Sequence, residues 1–265
     1  MSTYEGKAVI VTGATFGIGK EIAHLLAQRG WPVVGIGLEA PQVSSIADTT
    51  IAALQAEADN SGFNIKFIEA DVTNASDIKK VVETTLALHG SIFGVVNNAA
   101  IGPLGTILDT DPDLWDQIMA VNLKGPYLMS REIIPLMKSE GVGRIINIGS
   151  GAGWGKPNMA AYSTSKGGLI AFSSALALDH FKDRIAVNVV IPGGGGIAAG
   201  MSLGRVSGDY EKLRKNAVGN VAGRYTSGDD LGKVISFLLS DDGDSISGTV
   251  IDVGCFFHQG SSTPL

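Results

Sequence analysis

Residues 7–19 read KAVIVTGATFGIG. The run is continuously apolar up to Thr12, which suits a strand covered on both faces. Gly13, Gly17 and Gly19 then leave the backbone bare. Beyond them Ile18, Ile22, Leu25 and Leu26 recur at helical spacing. The segment therefore predicts a strand, a tight glycine turn and a helix. A helix that starts there offers free N–H groups and the positive end of its dipole, a combination suited to a pyrophosphate. A glycine triplet alone is a weak signal, but its place between the first strand and first helix of a βαβ series makes it a strong one. The competing reading is a tight turn with close helix packing and no ligand.

The same alternation continues outward. Val/Ile-rich runs at residues 32–37, 65–70, 92–97, 144–149, 185–191 and 249–253 read as further strands. Between them, Ile78, Val81, Val82 and Leu86 line one helical face, and Leu231, Val234, Ile235, Leu238 and Leu239 line another. Strand and helix in turn predict an α/β fold, a Rossmann-type doubly wound parallel sheet of about seven strands. No linker or compositional break appears, so residues 1–265 read as a single dinucleotide-binding catalytic domain. The glycine-rich, then charged, segment 193–227 is the least regular and reads as a substrate lid.

Composition agrees. Of 265 residues, 45% are hydrophobic and 17% charged, enough apolar material for a buried core. A net charge of −6 with no basic block argues against nucleic acid as a partner. Cys255 is the one cysteine, so no intramolecular disulfide is possible, no cysteine cluster holds a metal, and a cytoplasmic setting is expected. The amino-terminal residues lack the pattern of a signal peptide. The long uncharged stretch from Ile185 carries Asn188, Pro192 and four successive glycines, a poor membrane helix. His24, His89, His180 and His258 are far apart and predict neither a metal site nor a catalytic triad.

TGATFGIG at residues 12–19, Asp71–Val72, NNAA at residues 97–100, Asn122, Ser150 and YSTSK at residues 162–166, in this order, resemble the short-chain dehydrogenase/reductase family from residue 7 to about 254. The resemblance implies hydride transfer between a nicotinamide dinucleotide and a secondary alcohol or ketone. It places the cofactor against Gly13, Thr15, Phe16, Gly17, Ile18, Gly19, Leu38, Glu39, Asp71, Val72, Asn98, Ala99, Ala100, Tyr162, Lys166, Pro192, Gly193 and Gly195, and makes Asn122, Ser150, Tyr162 and Lys166 the catalytic quartet. It also implies a homotetramer or homodimer paired through helices at residues 113–138 and 158–181. Two rivals stand beside this reading: a dehydratase or epimerase on the same scaffold, and a non-catalytic nucleotide-binding protein.

Tyr162 and Lys166 lie four apart, one turn on the same face of a helix. A neighbouring ammonium favours the phenolate, so the phenol is expected to be acidic enough to act as a base. Ser150 follows the fifth strand, at the edge where parallel sheets gather ligands, and its hydroxyl suits the reacting oxygen. The resemblance gives Asn122 a bound water linked to the Lys166 ammonium, with Lys166 holding the nicotinamide ribose.

At the end of the second strand the acidic residue that selects NAD is replaced by Gly37, and Leu38 follows. No cation is nearby to hold a 2′-phosphate. Glu39 is placed to reach the ribose, which favours NAD while leaving NADP open; the alternative is an exposed loop charge. Asp71 is expected to accept from the adenine amino group, with Val72 against the ring, or else to be a turn or cap residue.

The pattern departs from the family in three places. The Ser150–Tyr162 interval is one residue short of the common spacing. Ile197 stands where a threonine usually holds the carboxamide. The tail ends in IDVGCFF, with Phe256 and Phe257 expected at an interface or pocket rim. Trp154, Met201 and Tyr210 are candidate substrate contacts and suggest a neutral substrate, while Arg205, Lys212, Arg214 and Lys215 read as a solvated helical face with an anion patch as the alternative.

Overall fold

A computed structural model describes residues 4, 6–44, 47–192, 200–215 and 221–254. The strands are β1 (Ala8–Thr12), β2 (Val33–Gly37), β3 (Ile65–Glu69), β4 (Ile92–Asn97), β5 (Gly143–Ile148), β6 (Ile185–Ile191) and β7 (Val250–Asp252). They form one parallel sheet in the order β3-β2-β1-β4-β5-β6-β7. The seven expected runs are thus the seven strands, with no end displaced by more than one residue. Strands β1, β2, β4, β5 and β6 are buried along their whole length, which is why their runs are apolar without alternation.

The connections are α1 (Gly17–Gln28), α2 (Ala40–Val43), α3 (Ile51–Ser61), α4 (Ala75–His89), α5 (Pro112–Met119), α6 (Gly125–Glu140), α7 (Ala160–His180), α8 (Gly200–Gly204), α9 (Tyr210–Lys215) and α10 (Gly228–Leu239). Helices α1, α3 and α10 cover one face, where Ile22, Leu26, Leu54, Leu231 and Ile235 pack with Trp31 and Phe93. Helices α4, α6 and α7 cover the other, through Ile78, Val82, Met129, Ile133 and Ala177. The sense in which successive strands are added reverses between β1 and β4, so a crevice opens outside the carboxyl ends of these strands, the usual place for a ligand in a doubly wound sheet.

The expected helix at residues 113–138 differs in one respect. A π-helical turn, Ala120–Lys124, separates α5 from α6, and Asn122 sits inside it, fully buried. Such turns widen a helix and re-aim its side chains, and they cluster at functional sites. The segment expected as an irregular lid carries the short helices α8 and α9 in its described part. Among the described residues no helix is long and apolar enough to cross a membrane.

Candidate active site

A cavity of about 800 Å³ opens along the carboxyl edge of the sheet. Its wall at one end is the glycine loop. Gly13 has φ of +64°, and a Cβ there would stand 2.8 Å from Ala99 Cα. A Cβ at Gly19 would come within 2.1 Å of the Gly13 carbonyl oxygen. Both glycines are therefore demanded by close backbone approach. Asn98 locks the loop in place: its amide donates to the carbonyl oxygens of Thr12 and Gly13, while its N–H and that of Ala99 donate to Thr12 Oγ1.

The start of α1 has no side-chain cap, and Gly17, Ile18 and Gly19 of its first turn line the cavity. By contrast Thr50, Asn74, Asp111 and Ser227 cap α3, α4, α5 and α10. An uncapped, positively polarised helix end facing a glycine-walled crevice fits the pyrophosphate of a dinucleotide. Thr15, Phe16, Leu38, Asp71, Val72, Ala99, Ala100, Tyr162, Lys166 and Pro192 line the same cavity. Gly193, Gly195 and Ile197 lie outside the described residues, as do Cys255, Phe256, Phe257 and His258.

Glu39 is placed differently from expectation. It precedes α2, and its carboxylate accepts the Ile51 N–H at 2.9 Å, away from the cavity lining. The free N–H groups and positive dipole end at the start of α3 account for this capture. Asp71 does line the cavity, but one of its carboxylate oxygens closes a turn with the N–H and hydroxyl of Thr73, both at 2.8 Å.

At the other end stand the catalytic candidates. Ser150 precedes a 3-10 turn, Gly151–Trp154, and accepts from the Ala152 N–H. That turn lies directly on α7: a Cβ at Gly167 would meet the Gly153 carbonyl oxygen at 2.8 Å. The packing brings Ser150 beside the Tyr162 hydroxyl, near enough to favour its ionised form, and both line the cavity. The short interval therefore does not separate them.

Lys166 is 2% exposed, and its ammonium donates to the Ile148 carbonyl oxygen at 2.7 Å. Its Nζ stands 6.0 Å from the centre of the Tyr162 ring. Burial lowers the lysine pKa from 10.5 to about 8. The expected acidic phenol is corrected here. Burial dominates and raises the Tyr162 pKa, while the hydrogen bond from Ser150 and the charge of Arg205 oppose the rise.

The side chain of Asn122 is fully engaged. Its side-chain oxygen accepts from the Ile101 N–H at 2.9 Å, and its amide donates to the Ile101 carbonyl and to Ser165 Oγ. It does not line the cavity. Its amide protons tie the loop after β4 to α7.

Sequence reasoning missed several neighbours. Asn97, Asn147 and Ser173 form a buried chain of hydrogen bonds that fixes α7 on β4 and β5. Their polar character inside apolar strands was the available signal. Met201 lines the cavity as expected, whereas Trp154 and Tyr210 are exposed and do not. Lys156 lines it and was not singled out, and Arg205, though exposed, lines it as well.

A doubly wound sheet with a glycine cradle at one end of its crevice and a paired serine and tyrosine at the other defines a dinucleotide-binding oxidoreductase. The chain belongs to the short-chain dehydrogenase family: a sequence model described as short chain dehydrogenase matches residues 7–203. Among its relatives, an uncharacterized oxidoreductase of Thermotoga maritima is 32% identical, over 94% of this chain and 96% of its own. The 2-(S)-hydroxypropyl-CoM dehydrogenase 3 of Xanthobacter autotrophicus is 33% identical, over 94% and 95%. The 3-oxoacyl-acyl-carrier-protein reductase of Escherichia coli is 34% identical, over 94% and 96%. Family members use nicotinamide dinucleotides and act on small molecules.

Proposed function

We propose that the chain interconverts a ketone and a secondary alcohol, with NAD as its cofactor, inside one catalytic domain, with the described residues 200–205 of the expected lid beside the substrate. The carrying observation is that Ser150, the buried Tyr162 and the buried Lys166 line one cavity, at the opposite end from the uncapped start of α1.

The glycine loop and the first turn of α1 would hold the pyrophosphate. When bound, the dihydronicotinamide supplies the hydride that reaches the carbonyl carbon. Ser150 donates a hydrogen bond to the carbonyl oxygen and stabilises the charge that develops there. Tyr162 donates its proton to the same oxygen as the hydride arrives. A phenol whose pKa is raised by burial remains protonated at neutral pH, the form this step requires. The buried Lys166 places positive charge beside the phenol and favours the phenolate left behind. In the oxidative direction Tyr162 takes the proton back.

The choice of NAD rests on the missing cation. The basic residues of the described cavity lining are Lys156, Lys166 and Arg205, none of them on β2 or the segment after it. The phosphate of NADP would have no partner beside Leu38. Glu39 no longer contributes to this argument, because it caps α3. The non-catalytic rival drew on the shortened loop, and the meeting of Ser150 with Tyr162 weighs against it.

Assembly as a homodimer or homotetramer is supported by exposed apolar side chains on the two pairing segments, Tyr127 on α6, Leu178 on α7 and Phe181 just beyond it. Sedimentation velocity tests that part; a monomer at micromolar concentration contradicts it. The activity is tested by following the near-ultraviolet absorbance of the reduced ring across ketones and alcohols with both cofactors. Turnover with NADH preferred supports the reading, and a preference for NADPH overturns the cofactor choice.

A further inference from the structure

Two cations project into the phenol's end of the cavity. Arg205, at the end of α8, donates to the Gly102 carbonyl oxygen, 2.6 Å from its Nη2. Its guanidinium carbon lies 5.9 Å from the centre of the Tyr162 ring. Lys156 approaches the same end from the loop that follows Ser150. Among the described lining residues the one carboxylate is Asp71, at the end of β3.

The two charges also feel each other and the low-dielectric wall. Partial burial is the main cause lowering the pKa of Lys156, and the charge of Arg205 adds to it. Partial burial likewise lowers that of Arg205, against the pull of Tyr162. Two like charges at one end of the cavity raise the positive potential there, which favours an anionic ligand.

Resting on the carbonyl reduction assigned above, we propose that the substrate carries an anionic group, a carboxylate, phosphonate, phosphate or sulfonate, received by Arg205 and Lys156 while its carbonyl meets Tyr162 and Ser150. The guanidinium fork suits two oxygens of such a group, and the ammonium shares one of them or, in a phosphonate, phosphate or sulfonate, takes a third. The anion then fixes the orientation of the carbonyl, a role that the apolar contacts Met159 and Met201 cannot perform alone.

The test compares keto acids with their esters: acetoacetate, levulinate and acetonylphosphonate, each against its methyl ester, in wild type, Arg205→Gln and Lys156→Gln. At least one acid is expected to exceed its ester in kcat/KM by about tenfold, the scale of one charge-assisted contact in a partly open site. Each substitution should remove most of that ratio through KM of the acid, and dinucleotide affinity should change less than the ratio does. Esters used as well as every acid, or variants that weaken the dinucleotide while leaving the ratio intact, overturn the proposal. If nothing in the panel is reduced, the reduction reading fails and the anion claim is judged by calorimetry with NADH present. Levulinate binding more tightly than its ester in wild type, and not in Arg205→Gln, supports the claim; equal binding overturns it.

Discussion

Lys166 donates to the Ile148 carbonyl oxygen at 2.7 Å, which pins the ammonium to the end of β5, two residues before Ser150. The contact fixes the cation beneath the phenol but leaves it buried, with a pKa of about 8 in place of 10.5. Between these two values the unfolded chain keeps a proton that the folded chain has released, so this group's contribution to stability rises with pH across that window. Below about pH 8 both states are protonated and the fold bears the full cost of the buried charge. The stability of wild type relative to Lys166→Met should therefore rise from pH 8 to pH 10.5, by about 3 kcal/mol at most, at about 1.4 kcal/mol for each unit. Urea unfolding of both proteins across that range measures it; a flat or falling difference contradicts the assignment.

Ser150→Ala should lower kcat by about 10²-fold, the usual cost of one donor to a developing oxyanion. The same hydrogen bond lowers the Tyr162 pKa, so the variant's pH profile for oxidation should also move to higher pH. A loss of rate without that displacement would confine Ser150 to holding the substrate.

Gly19→Ala places a methyl group 2.1 Å from the Gly13 carbonyl oxygen, in backbone that has no flexible end to yield. The glycine loop must shift, and dinucleotide affinity should fall by more than about tenfold, with stability lower by roughly 1–3 kcal/mol as in overpacked cores. Gly62→Ala meets no atom within 4 Å and serves as the control: its left-handed φ of +68° gives a cost in stability alone. Fluorescence titration of NADH against both variants separates the two effects.

Cofactor choice should follow Leu38 and not Glu39. Glu39→Gln removes a charge from the start of α3, costs under about 1 kcal/mol, and leaves the ratio of NAD to NADP affinity unchanged. Leu38→Arg puts a guanidinium at the ribose end of the cavity and should raise NADP affinity about tenfold or more. A shift in the ratio with Glu39→Gln would restore that carboxylate to the cofactor.

What the sequence made legible was local or periodic. The strands could be read because burial on both faces leaves continuous apolar runs, and Tyr162 and Lys166 could be paired because four residues make one turn of α7. What escaped depends on contacts distant in sequence. The π-helical turn that turns Asn122 toward Ile101 and Ser165 is set by packing between α5, α6 and α7. Glu39 was drawn from the ribose by the start of α3, twelve residues on. Arg205 is exposed as a surface charge would be, yet it also reaches Gly102, 103 residues earlier in the chain, and so lines the cavity. The phenol's pKa went up because burial, which no motif records, outweighs the favourable hydrogen bond and charge.

The central claim is that Tyr162 supplies the proton. The direct measurement is steady-state reduction by Tyr162→Phe beside its NADH dissociation constant. The expected result is a loss of kcat of about 10³-fold or more, within the range for removing a general acid, with the dissociation constant changed less than about threefold. A variant that keeps a tenth or more of the wild-type rate would contradict the account.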